Sequence, residues 1–263
     1  MFNITIGSAS DTGMKRKENQ DYHAYFPPED GCANRKGLLV ALADGMGGHS
    51  GGQMASRLAV ETLMQNYYRN DDENIPASLT QAFLDANEAV IAKGEHDMKL
   101  RGMGSTLTAV VFKDGRMFFG HVGDSRGYTI VGHTMTQFTE DHSFVASLVK
   151  AGAIKPEEAK DHPESNIITR AIGMSRELKV DAPSSGMKLH NGQSILLCCD
   201  GLWGVVPEEE ILSTVKTHPE PKIASEKLVE LANANGGPDN ITVVIARIDG
   251  IGLLSSLTSK LAR

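Results

Sequence analysis

Three aspartates stand where a reactive cluster can be built. Asp44 closes the apolar run of residues 37–43, Asp200 closes the run of residues 194–199, and Asp239 lies just before the run of residues 241–246. Continuous apolar runs of this length read as strands buried on both faces, so each carboxylate falls where a strand meets a turn. Singly, such an aspartate is an ordinary turn residue, and Asp-Gly, found at Asp44 and Asp200, is a common turn pair. If the three strands are neighbours, the carboxylates converge, and two unit charges 4 Å apart repel by about 4 kcal/mol at an effective dielectric of 20. A cluster of that kind calls for a cation. Oxygen donors favour hard ions such as Mg²⁺ or Mn²⁺, and no His or Cys spacing in the chain has a zinc-site pattern.

The glycine-rich stretch that begins at Asp44, Asp-Gly-Met-Gly-Gly-His-Ser-Gly-Gly, lacks the Gly-Lys-Ser/Thr ending of a nucleotide-binding P-loop. A dinucleotide-binding reading also fails, for want of βαβ alternation and a downstream ribose acid. Its glycines fit a backbone that approaches an ion or a phosphate closely.

The elements that must position these groups are legible as hydrophobic patterns. Residues 4–8 alternate as a strand, and residues 105–112 and 116–122 flank Asp114-Gly115 as a hairpin. Residues 128–131 and 134–138 form a second hairpin through Gly132-His133, so the sheets are expected to be antiparallel. Leu79, Phe83, Ala86 and Val90, spaced four, three and four, lie on one stripe of a helix expected to cover a sheet. Pro207 followed by Glu208, Glu209 and Glu210 starts another helix, and Ala224, Leu228 and Leu231 mark a third. Residues 141–167 are polar and helix-leaning and read as a mobile flap outside the sheets.

Bulk properties exclude several classes. The 263 residues are 40% hydrophobic and 22% charged, ordinary values for a folded protein. Lys and Arg total 26 against 33 for Asp and Glu, and a net charge of −7 disfavours a nonspecific nucleic-acid binder or a polybasic membrane surface. Three cysteines, two of them adjacent, do not make a disulfide scaffold. No apolar run approaches the roughly 18 residues of a membrane span, and the first residues lack the features of a signal peptide, so a reducing, cytoplasmic setting is expected.

The ordered motifs of the chain carry a resemblance. They are Arg16-Lys-Glu-Asn-Gln-Asp21, Asp44-Gly-Met-Gly-Gly-His49, Gly104-Ser-Thr106, Gly123-Asp-Ser-Arg126, Thr139-Glu-Asp-His142, Thr169-Arg-Ala-Ile-Gly173, Cys199-Asp-Gly-Leu-Trp203 and Gly237-Pro-Asp-Asn-Ile-Thr242. In this order they resemble the metal-dependent protein phosphatases of type 2C in their bacterial form. The resemblance implies an α+β fold, a four-layer α-β-β-α sandwich with two central antiparallel sheets. It further implies a phosphatase domain over residues 1–249, its flap at about 141–167, and a C-terminal tail over 250–263. The implied reaction is hydrolysis of phosphoserine and phosphothreonine in proteins at a binuclear Mn²⁺ or Mg²⁺ centre, opposing a serine/threonine kinase. A water held between the two ions as hydroxide would attack phosphorus in line.

By the same resemblance, Asp44 bridges the two ions, the Gly45 carbonyl binds one, and Asp200 and Asp239 bind the other. Asp21 and Asn240 stand behind these ligands, Arg16 binds phosphate through its planar fork, and Asp124 holds a third ion together with Asp200. Two positions depart from the family pattern. Met46 stands where eukaryotic relatives have a histidine thought to protonate the leaving group, which leaves His49 or metal-bound water as the candidate general acid. Gln20 replaces a frequent Glu, removing one water-mediated contact to metal. A monomer is expected. The alternatives are a catalytically silent binding module of the same fold, which would have no need for all of Arg16, Asp21, Asp44, Asp200 and Asp239, and a phosphatase for other phosphoesters. Residues 251–261 read as an amphipathic partner helix or as a frayed tail.

Overall fold

A computed structural model describes residues 2–25, 35–47, 51–160 and 162–250, and in it the apolar runs become strands of two antiparallel sheets. One sheet has the order β1 (Phe2–Asp11), β11 (Ile241–Gly250), β10 (Gln193–Cys198), β7 (Arg126–Val131) and β8 (Thr134–Gln137). The other has the order β2 (Asp21–Tyr25), β3 (Leu38–Met46), β5 (Leu107–Lys113), β6 (Arg116–Val122) and β9 (Met187–Lys188), with β4 (Gly104–Ser105) paired to the end of β3. Helices α1 (Gly51–Arg69) and α2 (Ile75–His96) pack on the second sheet. The excursion after β8 carries the short α3 (Phe144–Lys150) and α4 (Pro156–Ala159). After β10 come α5 (Asp200–Trp203), α6 (Glu208–Thr217) and α7 (Pro221–Ala234), which cover the first sheet.

The continuous apolar runs have a simple cause. In β3, Leu39, Ala41 and Ala43 face α1 and α2, while Val40 and Leu42 face the other sheet. In β10, Leu196 and Cys198 face α6 and α7, while Ile195 and Leu197 meet Val40, Leu42, Val244 and Ala246 between the sheets. Each central strand is therefore covered on both sides and cannot alternate apolar with polar residues, although its neighbours are antiparallel. The result is the four-layer α-β-β-α order expected from the sequence. Among the described residues, no helix is long and apolar enough to cross a membrane.

Local chemistry sets the boundaries. Asn74 caps α2 by accepting from the Ala77 N–H at 3.1 Å, Pro76 occupies its first turn, and Leu79, Phe83, Ala86 and Val90 are all fully buried. The β5–β6 turn places Asp114 (φ 49°) and Gly115 (φ 73°) in the left-handed region, as a two-residue hairpin matched to strand twist demands. Pro207 stands just before α6, at its N-cap position, and the three glutamates fill its first turn. Two expectations shift in detail. Residues 105–112 do not form one strand but split at Thr106, whose groups turn to Asp44, and β3 continues two residues past Asp44 to Met46. Strands β2, β4 and β9 have no separate signal in the sequence, being two to five residues long.

The inter-sheet layer is packed by side chains of both sheets. Leu42→Ala should lower unfolding free energy by about 2–5 kcal/mol with an unchanged m-value in urea denaturation, since Leu42 is fully buried between the sheets.

Candidate metal centre

Two acids enter the site from the second sheet. Asp21 opens β2 and stands directly opposite Asp44 in the antiparallel register of β2 and β3. The Asp44 backbone is fully engaged. Its N–H donates to Thr106 Oγ1 at 2.8 Å, and its carbonyl accepts from the Thr106 N–H at 2.8 Å and from Ser105 Oγ at 2.9 Å. The next residue has no room for a side chain, because a Cβ at Gly45 would lie 2.0 Å from the Gly52 carbonyl oxygen. This close approach seats the start of α1 against the end of β3.

Two more acids come from the first sheet. Asp200 follows β10 and begins α5, and Asp239 ends the turn that leads into β11. A Cβ at Gly201 would lie 1.9 Å from the Asn240 carbonyl oxygen, so glycine is what lets α5 close onto the Asp239 turn. Asn240 then ties down the segment that carries Arg16. Its Oδ1 accepts from the Gln20 N–H at 2.8 Å, and its Nδ2 donates to the carbonyls of Thr12 and Glu18, each at 2.9 Å. Arg16 itself donates from Nη2 to Asp239 Oδ2 at 2.5 Å, and its side chain is 54% exposed. Asp124 lies in the link between β6 and β7, with only 6% of its surface exposed.

These placements gather the carboxyls into one cluster where the two sheets meet. Burial lifts the Asp44 carboxyl well above its ordinary range, with Asp21, Asp200, Asp124 and Asp239 adding to the effect. Asp21 is pushed up to about 7 by burial and by Asp200 and Asp239, although Thr242 and Cys199 pull the other way. Asp200 rises to about 6 through burial and Asp239, and Asp124 rises to about 7 through burial, Asp200 and Asp141. Both carboxylate oxygens of Asp21 and Oδ1 of Asp200 are buried without a hydrogen-bond partner. Buried acceptors rarely stay unpaired, and orphaned carboxylate oxygens turned toward other carboxylates are what a set of hard-cation ligands looks like. The donor set fits divalent ions. Asp21, Asp44 and Cys199 also offer ligand atoms within 4.8 Å of one another.

A family model described as "Protein phosphatase 2C" matches residues 14–231. The chain belongs to this family. Within it, the Mycobacterium tuberculosis serine/threonine protein phosphatase PstP is 39% identical over 248 residues, 93% of this chain and 45% of that protein. This chain therefore spans about half the length of PstP. The Listeria monocytogenes serine/threonine phosphatase Stp is 34% identical over 244 residues, 91% of this chain and 94% of that protein. The crystal structure of the PstP catalytic domain in complex with two manganese ions superposes with a TM-score of 0.80 at 36% identity, covering 95% of this chain and all of that one.

For a phosphatase 2C chain, the arrangement brings together Arg16, Asp21, Asp44, Gly45, Asp124, Asp200, Asp239 and Asn240. His49 and the 251–263 tail lie outside the described residues. Thr106, which fixes Asp44, and Cys199, which packs beside it, were given no role by sequence reading. Both sit inside the motifs Gly104-Ser-Thr106 and Cys199-Asp-Gly-Leu-Trp203, and a small polar residue facing a strand end was the available signal.

The raised carboxyls have a measurable sign. Because Asp21, Asp124 and Asp200 move up from 3.8, the metal-free folded chain holds more protons than the unfolded chain between about pH 4 and 7. Their contribution to stability is full below that window and is lost as pH rises through it. Calorimetry of metal-free protein should show a Tm at pH 5 at least ~5 °C above that at pH 7.5, with Mn²⁺ closing the gap. A Tm at pH 7.5 indifferent to Mn²⁺ would contradict this account.

Proposed function

We propose that residues 1–249 form a metal-dependent protein phosphatase domain that hydrolyses phosphoserine and phosphothreonine in proteins, opposing a serine/threonine kinase. The observation that carries this reading is the convergence of carboxylates from both sheets, with orphaned buried oxygens, beside a half-exposed arginine. PstP's two manganese ions and the names of the relatives support the choice of cofactor and substrate class. Asp44, the Gly45 carbonyl, Asp200 and Asp239 are assigned as ligands of two Mn²⁺ or Mg²⁺ ions, and Asp124 with Asp200 as the holders of a third. When bound, such ions supply Lewis-acid polarisation and the acidification of water at neutral pH.

The protein's own groups supply the rest. Asp21, opposite Asp44 and unpaired, orients water at the centre. Arg16 is held half-exposed beside Asp239 by the segment that Asn240 fastens, where its fork can pair with two phosphate oxygens. Thr106 and Ser105 hold the Asp44 backbone rigid, so its carboxylate need not reorganise during reaction. Met46 carries no titratable proton, so the side chain next to the Asp44-Gly45 pair cannot serve as general acid.

The decisive experiment follows hydrolysis of p-nitrophenyl phosphate and of phosphoserine, phosphothreonine and phosphotyrosine peptides with Mn²⁺, Mg²⁺ or chelator. Activity is expected only with metal and on the phosphoserine and phosphothreonine peptides, and Asp239→Asn should lower kcat/KM by about 100-fold or more. Metal-independent turnover, or preference for phosphotyrosine, would reject the reading. Arg16→Lys should raise KM for the phosphothreonine peptide about tenfold with a smaller change in kcat, because a lysine keeps the charge and loses the fork.

A further inference from the structure

Asp124 occupies a link of three residues, and that link is gripped from two directions. On one side the Trp203 indole, at the end of α5, donates from Nε1 to the Asp124 carbonyl at 3.1 Å. On the other, the Gly123 N–H donates to His142 Nδ1 at 2.9 Å, and the His142 N–H donates back to the Gly123 carbonyl at 2.8 Å. Arg126, just beyond the link, lies over the Trp203 ring with 3.7 Å between the guanidinium carbon and the ring centroid. The same guanidinium closes on Asp141, through Nε to both carboxylate oxygens at 3.2 and 3.1 Å and through Nη2 to Oδ2 at 2.8 Å. Both side chains are largely buried, 21% and 12% exposed. Asp141 and His142 begin the excursion that carries α3 and α4, and Asp200 begins the helix that ends in Trp203. One guanidinium thus joins the base of the excursion, the Asp124 link and the helix of Asp200.

We propose that Arg126 and Trp203 are positioning residues that hold Asp124 in place for its ion and tie that ion to the seating of residues 141–167. The inference rests on the assignment of Asp124 to a third ion. It requires a group that stacks and forks at once, which only a planar guanidinium provides. The clamp touches neither substrate nor metal and acts through the Asp124 backbone.

The test is calorimetric titration of the metal-free full chain with Mn²⁺, for wild type, Asp124→Ala, Arg126→Lys and Trp203→Phe. Trp203→Phe keeps an aromatic ring beneath Arg126 while removing the N–H along with part of the indole, so it carries the test if Arg126→Lys fails to fold. Wild type should bind three ions and Asp124→Ala two. Arg126→Lys and Trp203→Phe should keep the two tighter ions and weaken the third by about tenfold or more. Limited proteolysis should show that Mn²⁺ at third-site concentrations protects residues 141–167 in wild type and not in these variants. Trp203 is the sole tryptophan, so Mn²⁺ quenching of its fluorescence should follow the third binding event. If Asp124→Ala loses an ion while Arg126→Lys and Trp203→Phe titrate like wild type, the clamp is wrong. If Asp124→Ala binds as many ions as wild type, the third-ion assignment falls and takes the clamp with it.

Discussion

Mutual repulsion among buried carboxylates is the constraint on which the rest of this structure depends. Burial, together with the charge of neighbouring acids, raises the carboxyls of Asp21, Asp44, Asp124 and Asp200. A free chain would relieve that by moving apart. The fold prevents it by fixing the backbones of Asp44 and Asp200 and one side-chain oxygen of Asp239. Asp44 is held through its own N–H and carbonyl, Asp200 by the start of a helix closed onto Asn240, and Asp239 by a bond from the Asn240 N–H to Oδ1 at 2.8 Å. Carboxylate oxygens are left over as a consequence, and a dication is the partner that satisfies several at once.

The two sheets are what make such fixing affordable. Asp21 and Asp44 come from one sheet and Asp200 and Asp239 from the other, so the cluster forms only when Val40, Leu42, Ile195, Leu197, Val244 and Ala246 have closed the layer between them. The apolar layer and the acidic end of the same strands are coupled by chain continuity: residues 40 and 42 lead to Asp44, and residues 195 and 197 lead to Asp200. Hydrophobic burial of roughly 25 cal/mol per Å² over that layer opposes the repulsion at its edge.

Much of this was legible in the sequence because it is written in local pattern. The apolar runs beside Asp44, Asp200 and Asp239, the Asp114-Gly115 turn and the stripe from Leu79 to Val90 all announce themselves within a few residues. What was not legible depends on contacts far apart in the chain. β2 has five residues and a mixed burial pattern, and it exists because β3 offers an edge and Asn240 fastens the segment before it. The split at Thr106 arises because its hydroxyl accepts the Asp44 N–H, which no pattern in residues 105–112 reveals. The continuous runs by themselves carry no sheet direction, since two-sided burial gives antiparallel strands the composition usually seen in parallel ones; the hairpins at Asp114-Gly115 and Gly132-His133 supply it.

Arg16 and Arg126 show why residue type alone does not assign a role. Both are arginines near the acidic cluster, both are raised above the ordinary guanidinium range, and each pairs with an aspartate, Arg16 with Asp239 and Arg126 with Asp141. Arg126 is 21% exposed, forks onto Asp141, donates to the Tyr128 hydroxyl and rests one face on an indole, so each of its nitrogens has a protein partner. Arg16 is 54% exposed and donates to Asp239, itself 31% exposed, so displacement by a phosphate oxygen uncovers no fully buried charge. An exposed ion pair of this kind is worth little by itself, whereas breaking a buried and stacked one leaves its partner unpaired. The first arginine is therefore built to exchange partners and the second to keep them, a division set by burial and not by sequence motif.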